Sequence, residues 1–233
     1  MNTDVSNIET IYGTEGKFVQ TNEDPVCYHL SHPEGKRLYI SSGIHGNESS
    51  GPIALNELIK YPGLFEGVDT TIFPILNRYG YAHNLRHNKN DKDLNRDYKN
   101  ALQPETKRHL QLIGDQRYDL ALCLHESSKA TGCFIYKPNR NKRMDVMEEI
   151  LLNMSRIMPI DNRHSEWQVE IERGILKDTK YKEKHWTEAI YFSHHDVPAF
   201  TIEVPAAAPL RQRVVTFRAA IEKAVELLKE NII

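Results

Sequence analysis

The run Tyr118-Asp119-Leu120-Ala121-Leu122-Cys123-Leu124 is the most continuous apolar stretch in the chain and constrains its fold most. From Leu120 to Leu124 its residues are apolar in succession, without the polar alternation of a half-solvated strand. That pattern belongs to a strand buried on both faces, as in parallel sheets covered by helices. Other strand-like runs cover residues 36–42, 70–76, 133–136 and 199–202, with shorter ones around Phe18-Val19-Gln20 and Val26-Cys27-Tyr28-His29-Leu30. Between them, apolar residues recur at helical spacing over 48–61, 103–117, 142–158 and 209–233. Strands alternating with helices predict an α/β fold with a mixed or mostly parallel sheet between helices. Pro74 inside one run implies a sheet edge or a bulge there. Two segments resist assignment: 77–98, polar and without a clean period, and 161–187. A polar loop of the first kind inside a compact domain is usually functional or disordered.

With 233 residues the chain is long enough to bury one sizeable core, so a single domain spanning 1–233 is expected. A net charge of −2 gives no electrostatic reason to expect nucleic acid or an anionic membrane as partner. No apolar run approaches the ~20 residues that span a bilayer. The first residues lack the basic and apolar regions of a signal peptide. Three cysteines, an odd number without framework spacing, fit reduced thiols. These features together predict a cytoplasmic protein.

The chemistry gathers at the ends of apolar runs, where sheets of this kind build their sites. Leu38-Tyr39-Ile40 leads into Ser41-Ser42-Gly43-Ile44-His45-Gly46-Asn47-Glu48, a small-residue turn entering a helix. His45 and Glu48 stand three apart, so on one turn of backbone they lean to the same side and can grip one ion. An imidazole and a carboxylate suit zinc. His125, following the central run, is the candidate third ligand. Two histidines and one glutamate would leave a position open for water, as in catalytic zinc sites. Glu203, after Thr201-Ile202, is a carboxylate at the end of an apolar strand and a candidate general base. The loop from Arg86 to Arg96 brings two arginines near Asn95. One guanidinium fork could bind a substrate carboxylate and another could stabilise an oxyanion.

His45-x-x-Glu48, Asp93-Leu94-Asn95-Arg96, Leu124-His125-Glu126-Ser127 and Thr201-Ile202-Glu203, in that order, closely resemble the motifs of the zinc carboxypeptidase superfamily. This is the carboxypeptidase A type, including the succinylglutamate desuccinylase and aspartoacylase branch. The resemblance spans residues 45 to 203. It implies a zinc-carboxypeptidase-like (phosphorylase/hydrolase-like) fold with a mixed, mostly parallel sheet of about eight strands. It also implies one Zn2+ per chain held by His45, Glu48 and His125, with Glu203 as general base. Asn95 and Arg96 match the pair that holds the substrate carboxylate, Arg86 the arginine that polarises the scissile carbonyl, and Asp93 the acid that orients a zinc-bound histidine. Many members carry a tyrosine that caps the substrate; Tyr181 and Tyr191 are both in range and no local motif selects between them.

The leading expectation is a zinc-dependent metallocarboxypeptidase that hydrolyses an amide bond next to a free carboxylate. The alternative is an N-acyl amino acid deacylase of the desuccinylase/aspartoacylase type, whose acyl-reading residues would fall in 128–187. A third reading, a non-catalytic member that binds a carboxylate ligand, leaves Glu203 without a purpose. Cys123 reads as a buried thiol, and His194-His195 as a solvated turn. Nothing in the sequence indicates an oligomeric state.

Overall fold

The computed structural model describes residues 8–12, 17–21, 24–138, 143–163, 165–166, 169–177 and 186–233. Its strands are β1 (Ile8–Tyr12), β2 (Lys17–Thr21), β3 (Tyr28–Leu30), β4 (Lys36–Ser41), β5 (Val68–Phe73), β6 (Leu120–Ser127), β7 (Phe134–Lys137), β8 (Ser165–Glu166), β9 (Val169–Glu172), β10 (Ile175–Lys177) and β11 (Ala199–Pro205). The helices are α1 (Ser50–Leu58), α2 (Arg78–His83), α3 (Pro104–Ile113), α4 (Met144–Ser155), α5 (Glu188–His194) and α6 (Leu210–Lys229).

Among the described residues the strands form one sheet in the order β1-β2-β3-β5-β4-β6-β11-β7-β10-β9-β8. The central strands β5, β4, β6 and β11 are mutually parallel. Antiparallel pairs lie outside them, apart from the parallel contact of β7 with β10. The mostly parallel character is therefore confined to the centre. Eight strands from β2 to β10 in the sheet order make up the expected core, and β1, β8 and β9 extend its edges. All eight residues of β6 are buried: Leu120 to Leu124 as their unbroken apolar run requires, and the polar His125, Glu126 and Ser127 with them.

Strand alternation divides the core into two layers. Leu120, Leu122 and Leu124 of β6 and Phe200, Ile202 and Val204 of β11 pack with α1, α4 and α6. Ala121 and Cys123 of β6 and Ala199 of β11 face the other way, into a cluster with α3 and α5. In α6, Val214, Phe217, Ile221, Ala224, Val225 and Leu228 make the buried stripe, at the period of a helix lying flat on a sheet.

Several boundaries differ from the sequence reading. β5 ends at Phe73, so Pro74 lies just past an interior strand, neither on an edge nor in a bulge; its carbonyl accepts the Ser42 hydroxyl. His125 and Glu203 lie inside β6 and β11 and do not follow them. The polar segment 77–98 contains α2, capped where the Asn77 side chain accepts from Gly80 N at 2.8 Å, and a 3-10 turn, Leu94–Arg96. Within 161–187, β8, β9 and β10 are described. His194 closes α5 and stacks on Trp186 at 4.0 Å between centroids, so the expected solvated turn begins only at exposed His195. No helix among the described residues is long and apolar enough to cross a membrane.

Candidate metal centre

The turn bearing His45 and Glu48 is a continuation of the β4–β5 pairing past the strand ends. Ser42 N donates to Phe73 O at 2.9 Å, Leu76 N to Ser42 O at 3.1 Å and Asn77 N to Gly43 O at 2.9 Å. Gly43 takes φ +61°, a left-handed conformation that glycine adopts without strain. Gly46 is pressed against α2: a Cβ there would lie 1.9 Å from the Gly80 carbonyl carbon. Backbone meets backbone at this point, which fixes the turn against the segment leading to Arg86.

The second histidine comes from β6. His125 has the same strand parity as Cys123 and so projects to the α3/α5 side, while Leu124 and Glu126 project to the other. Parallel pairing sets Glu203 of β11 directly beside His125. Neighbouring strands are about 4.8 Å apart, and paired residues share a face. The expected base therefore flanks the expected ligand on the same side of the sheet.

His45, Glu48 and His125 are all buried, and one ligand atom from each lies within 4.8 Å of the others. His45 Nδ1 is 2.7 Å from Glu48 Oε1, and His125 Nδ1 is 3.0 Å from Glu48 Oε2. Both imidazoles thus turn the same nitrogen toward one carboxylate. Tetrahedral nitrogen and oxygen ligands at 2.0–2.2 Å from a metal stand roughly 3.3–3.6 Å apart, a spacing that falls inside the 4.8 Å within which one ligand atom of each residue lies. The donor types suit zinc, and the buried position suits a charge-compensating cation.

The carboxylate of Asp93 lies behind His45, its Oδ1 3.2 Å from His45 Nε2. With a metal ion on Nδ1, that contact would hold the imidazole hydrogen on Nε2 and orient the ring. Asp93 Oδ1 also accepts from Asn95 N at 3.0 Å, and Oδ2 accepts from Arg86 NH2 at 2.9 Å. Burial alone would lower the His45 imidazole; the flanking Glu48 and Asp93 carboxylates raise it above its usual value. Burial alone would raise Glu48, yet His45 and His125 hold its carboxyl well below the usual range. Asp93 is depressed likewise, against its burial, by His45, Arg86 and Arg96.

Arg86 NH1 stands 3.9 Å from Glu48 Oε1, which brings this guanidinium to the edge of the cluster. Asn95 is buried between two site elements: its Oδ1 accepts from Glu188 N at 3.0 Å, and its Nδ2 is 3.4 Å from His125 Nε2. Arg96 NH1 donates to Asn95 O at 2.8 Å. The loop carrying these residues is held from within by buried Asn88, whose Oδ1 accepts from Asn90 N and Lys92 N, both at 3.0 Å. Of the two tyrosines, Tyr191 sits on α5 with its ring against Tyr98 and Phe192. Tyr181 lies outside the described residues.

Two groups of polar residues escaped the sequence reading. Under the centre, Glu188 accepts from Tyr39 OH and from Ser41 Oγ at 2.8 Å, and His109 is bracketed at 2.7 Å by the hydroxyls of Tyr39 and Tyr98. On the opposite face, Glu126 accepts from Ser50 N at 2.7 Å and from Arg213 of α6. Strand parity beside His125 was the available signal for Glu126. Nothing local marks Glu188.

Solved structures share this architecture. A protein from Shewanella denitrificans, provisionally assigned as a metallopeptidase, superposes with TM-score 0.77 at 18% identity, over 95% of this chain and 84% of that one. A metallo-carboxypeptidase from Pseudomonas aeruginosa, in complex with (2-guanidinoethylmercapto)succinic acid, gives 0.66 at 19% identity, over 97% and 65%. A succinylglutamate desuccinylase from a Silicibacter species gives 0.63 at 13%, over 97% and 71%. The fold is thus that of the carboxypeptidase-like metal hydrolases. No curated protein sequence matches the chain. Residues 34–228 match the succinylglutamate desuccinylase/aspartoacylase catalytic domain, and the chain belongs to that family of hydrolases.

Proposed function

We propose that residues 1–233 form one catalytic domain of a cytoplasmic, zinc-dependent metallocarboxypeptidase that hydrolyses an amide bond next to a free carboxylate. The observation that carries this reading is the convergence of His45, Glu48 and His125 within 4.8 Å, with Glu203 in register beside His125. One zinc ion per chain, held by those three residues, would supply Lewis acidity toward a carbonyl and acidify water. Glu203 accepts a proton from the attacking water on its carboxylate and returns it to the leaving amine nitrogen. Arg86 donates to the oxygen of the scissile carbonyl as charge develops there. Arg96 and Asn95 hold the substrate carboxylate, and the Arg86–Asp93 contact keeps the loop that bears them close to His45.

A second reading is favoured by the family match over 34–228: the amide bond belongs to an N-acyl amino acid. The (2-guanidinoethylmercapto)succinic acid bound by the Pseudomonas metallo-carboxypeptidase is a carboxylate ligand compatible with either reading. Release of free amino acids from peptides, compared with release from N-succinyl and N-acetyl amino acids, separates the two. In either case Glu203→Gln should retain zinc and lose at least about 10²-fold in turnover, the lower range for positioned proton transfer. Near wild-type turnover of zinc-loaded Glu203→Gln would refute the mechanism.

A further inference from the structure

A buried ion pair on the α1/α6 side of the sheet joins three of the segments that carry the centre. Glu126 follows His125 and points the opposite way, into the layer of α1 and α6. Its side chain is 3% exposed and that of Arg213 is 14% exposed. Glu126 Oε1 accepts from Ser50 N at 2.7 Å and from Ser50 Oγ at 2.5 Å, and Oε2 accepts from Arg213 NH1. Arg213 Nε donates to Ala208 O at 2.9 Å. Ser50 is two residues past Glu48, and Ala208 lies in the turn that leaves β11 after Glu203. The backbone of the same residue reaches the centre directly, since Glu126 N donates to Glu48 Oε2 at 3.0 Å.

We infer that Arg213, Glu126 and Ser50 are positioning residues that set the metal affinity of the centre from behind the sheet. The inference rests on the metal reading above. Physical economy argues for it: a buried ion pair is seldom a better stabiliser than apolar side chains of similar volume. The layer it enters holds the larger apolar cluster, with leucine, isoleucine, valine, phenylalanine, methionine and alanine side chains from β6, β11, α1, α4 and α6. What a charged fork adds there is direction. Through one carboxylate, the Glu48 segment, the His125 strand and the turn after Glu203 share one geometry.

The test is a zinc titration of the full chain by chelator competition, with apo and zinc-loaded thermal unfolding alongside. Arg213→Met should raise the zinc Kd about 10–100-fold, the range for supporting groups around metal ligands. Arg213→Lys, which keeps the charge without the fork to Ala208, should fall between it and wild type. Ser50→Ala, which removes one hydroxyl and keeps the helix, should raise the Kd severalfold, and it serves if Arg213→Met does not fold. An unchanged Kd in the folded variants, with apo and zinc-loaded unfolding temperatures lowered equally, would mean a purely structural pair and overturn the inference. A wild-type chain that takes up no zinc would overturn the metal reading itself, and this inference with it.

Discussion

Asp93→Ala tests whether the loop between α2 and α3 belongs to the centre. The substitution removes the acceptor of His45 Nε2 at 3.2 Å, of Asn95 N at 3.0 Å and of Arg86 NH2 at 2.9 Å. The Arg86 pair adds little, because that side chain is 43% exposed and solvent screens it. The His45 contact decides the outcome. The Asp93 side chain is 19% exposed, and a hydrogen bond to a charged group is worth about 1.5–3 kcal/mol. Loss of one such bond, felt through the orientation and basicity of His45, corresponds to about a 10–100-fold weaker zinc Kd. Asp93→Asn keeps an oxygen for His45 and Asn95 while giving up the charge, so its loss should be smaller. Competition with a chromogenic chelator measures both, and circular dichroism checks that the fold persists. An Asp93→Ala chain that binds zinc as tightly as wild type would show that His45 is oriented by its own backbone turn and not by this carboxylate.

Gly46→Ala should cost zinc affinity without touching a ligand, because its Cβ would meet Gly80 backbone at 1.9 Å and push the His45 turn off α2; chelator competition reads it. His109 is neutral in the fold, its pKa lowered by burial to about 3 from 6.5. Between those values the unfolded chain binds a proton that the native chain does not. His109 therefore makes stability fall with falling pH, by up to about 1.4 kcal/mol per unit. His109→Gln should flatten that part of the acid limb in urea unfolding followed from pH 7 to pH 4, and an unchanged slope would refute the assignment.

The candidate residues were legible from local signals: His125 and Glu203 each sit where an apolar run meets a polar residue, and His45 and Glu48 stand three apart on one turn of backbone, signals that need no knowledge of pairing. β6 is the plainest case: a run without alternation admits one interpretation, a strand covered on both faces. The register of β11 on β6 was not legible, since it depends on contacts between residues 78 positions apart. Only that register shows Glu203 beside His125. α5 was missed for a local reason. It has seven residues, several of them aromatic or β-branched with low helix propensity, and it forms because Thr187 caps Ile190 N at 3.3 Å and because Ala189 and Phe192 enter the core. Tertiary burial outweighs propensity there. Its first residue, Glu188, therefore reaches the underside of the centre without any motif to announce it.

The dipeptide His125-Glu126 shows how one strand can serve both faces of the sheet. Successive side chains point to opposite sides, so His125 on the α3/α5 face obliges Glu126 to enter the α1/α6 face. An apolar residue there would have packed without further need. A carboxylate cannot, and its burial is tolerated only because Ser50 and Arg213 satisfy it. The requirement for partners is what makes the position informative. It draws the start of α1 and the first turns of α6 to the strand bearing His125, and those are the elements adjoining Glu48 and Glu203. In this fold Glu126 thereby ties the scaffold of the opposite face to the strand that presents His125.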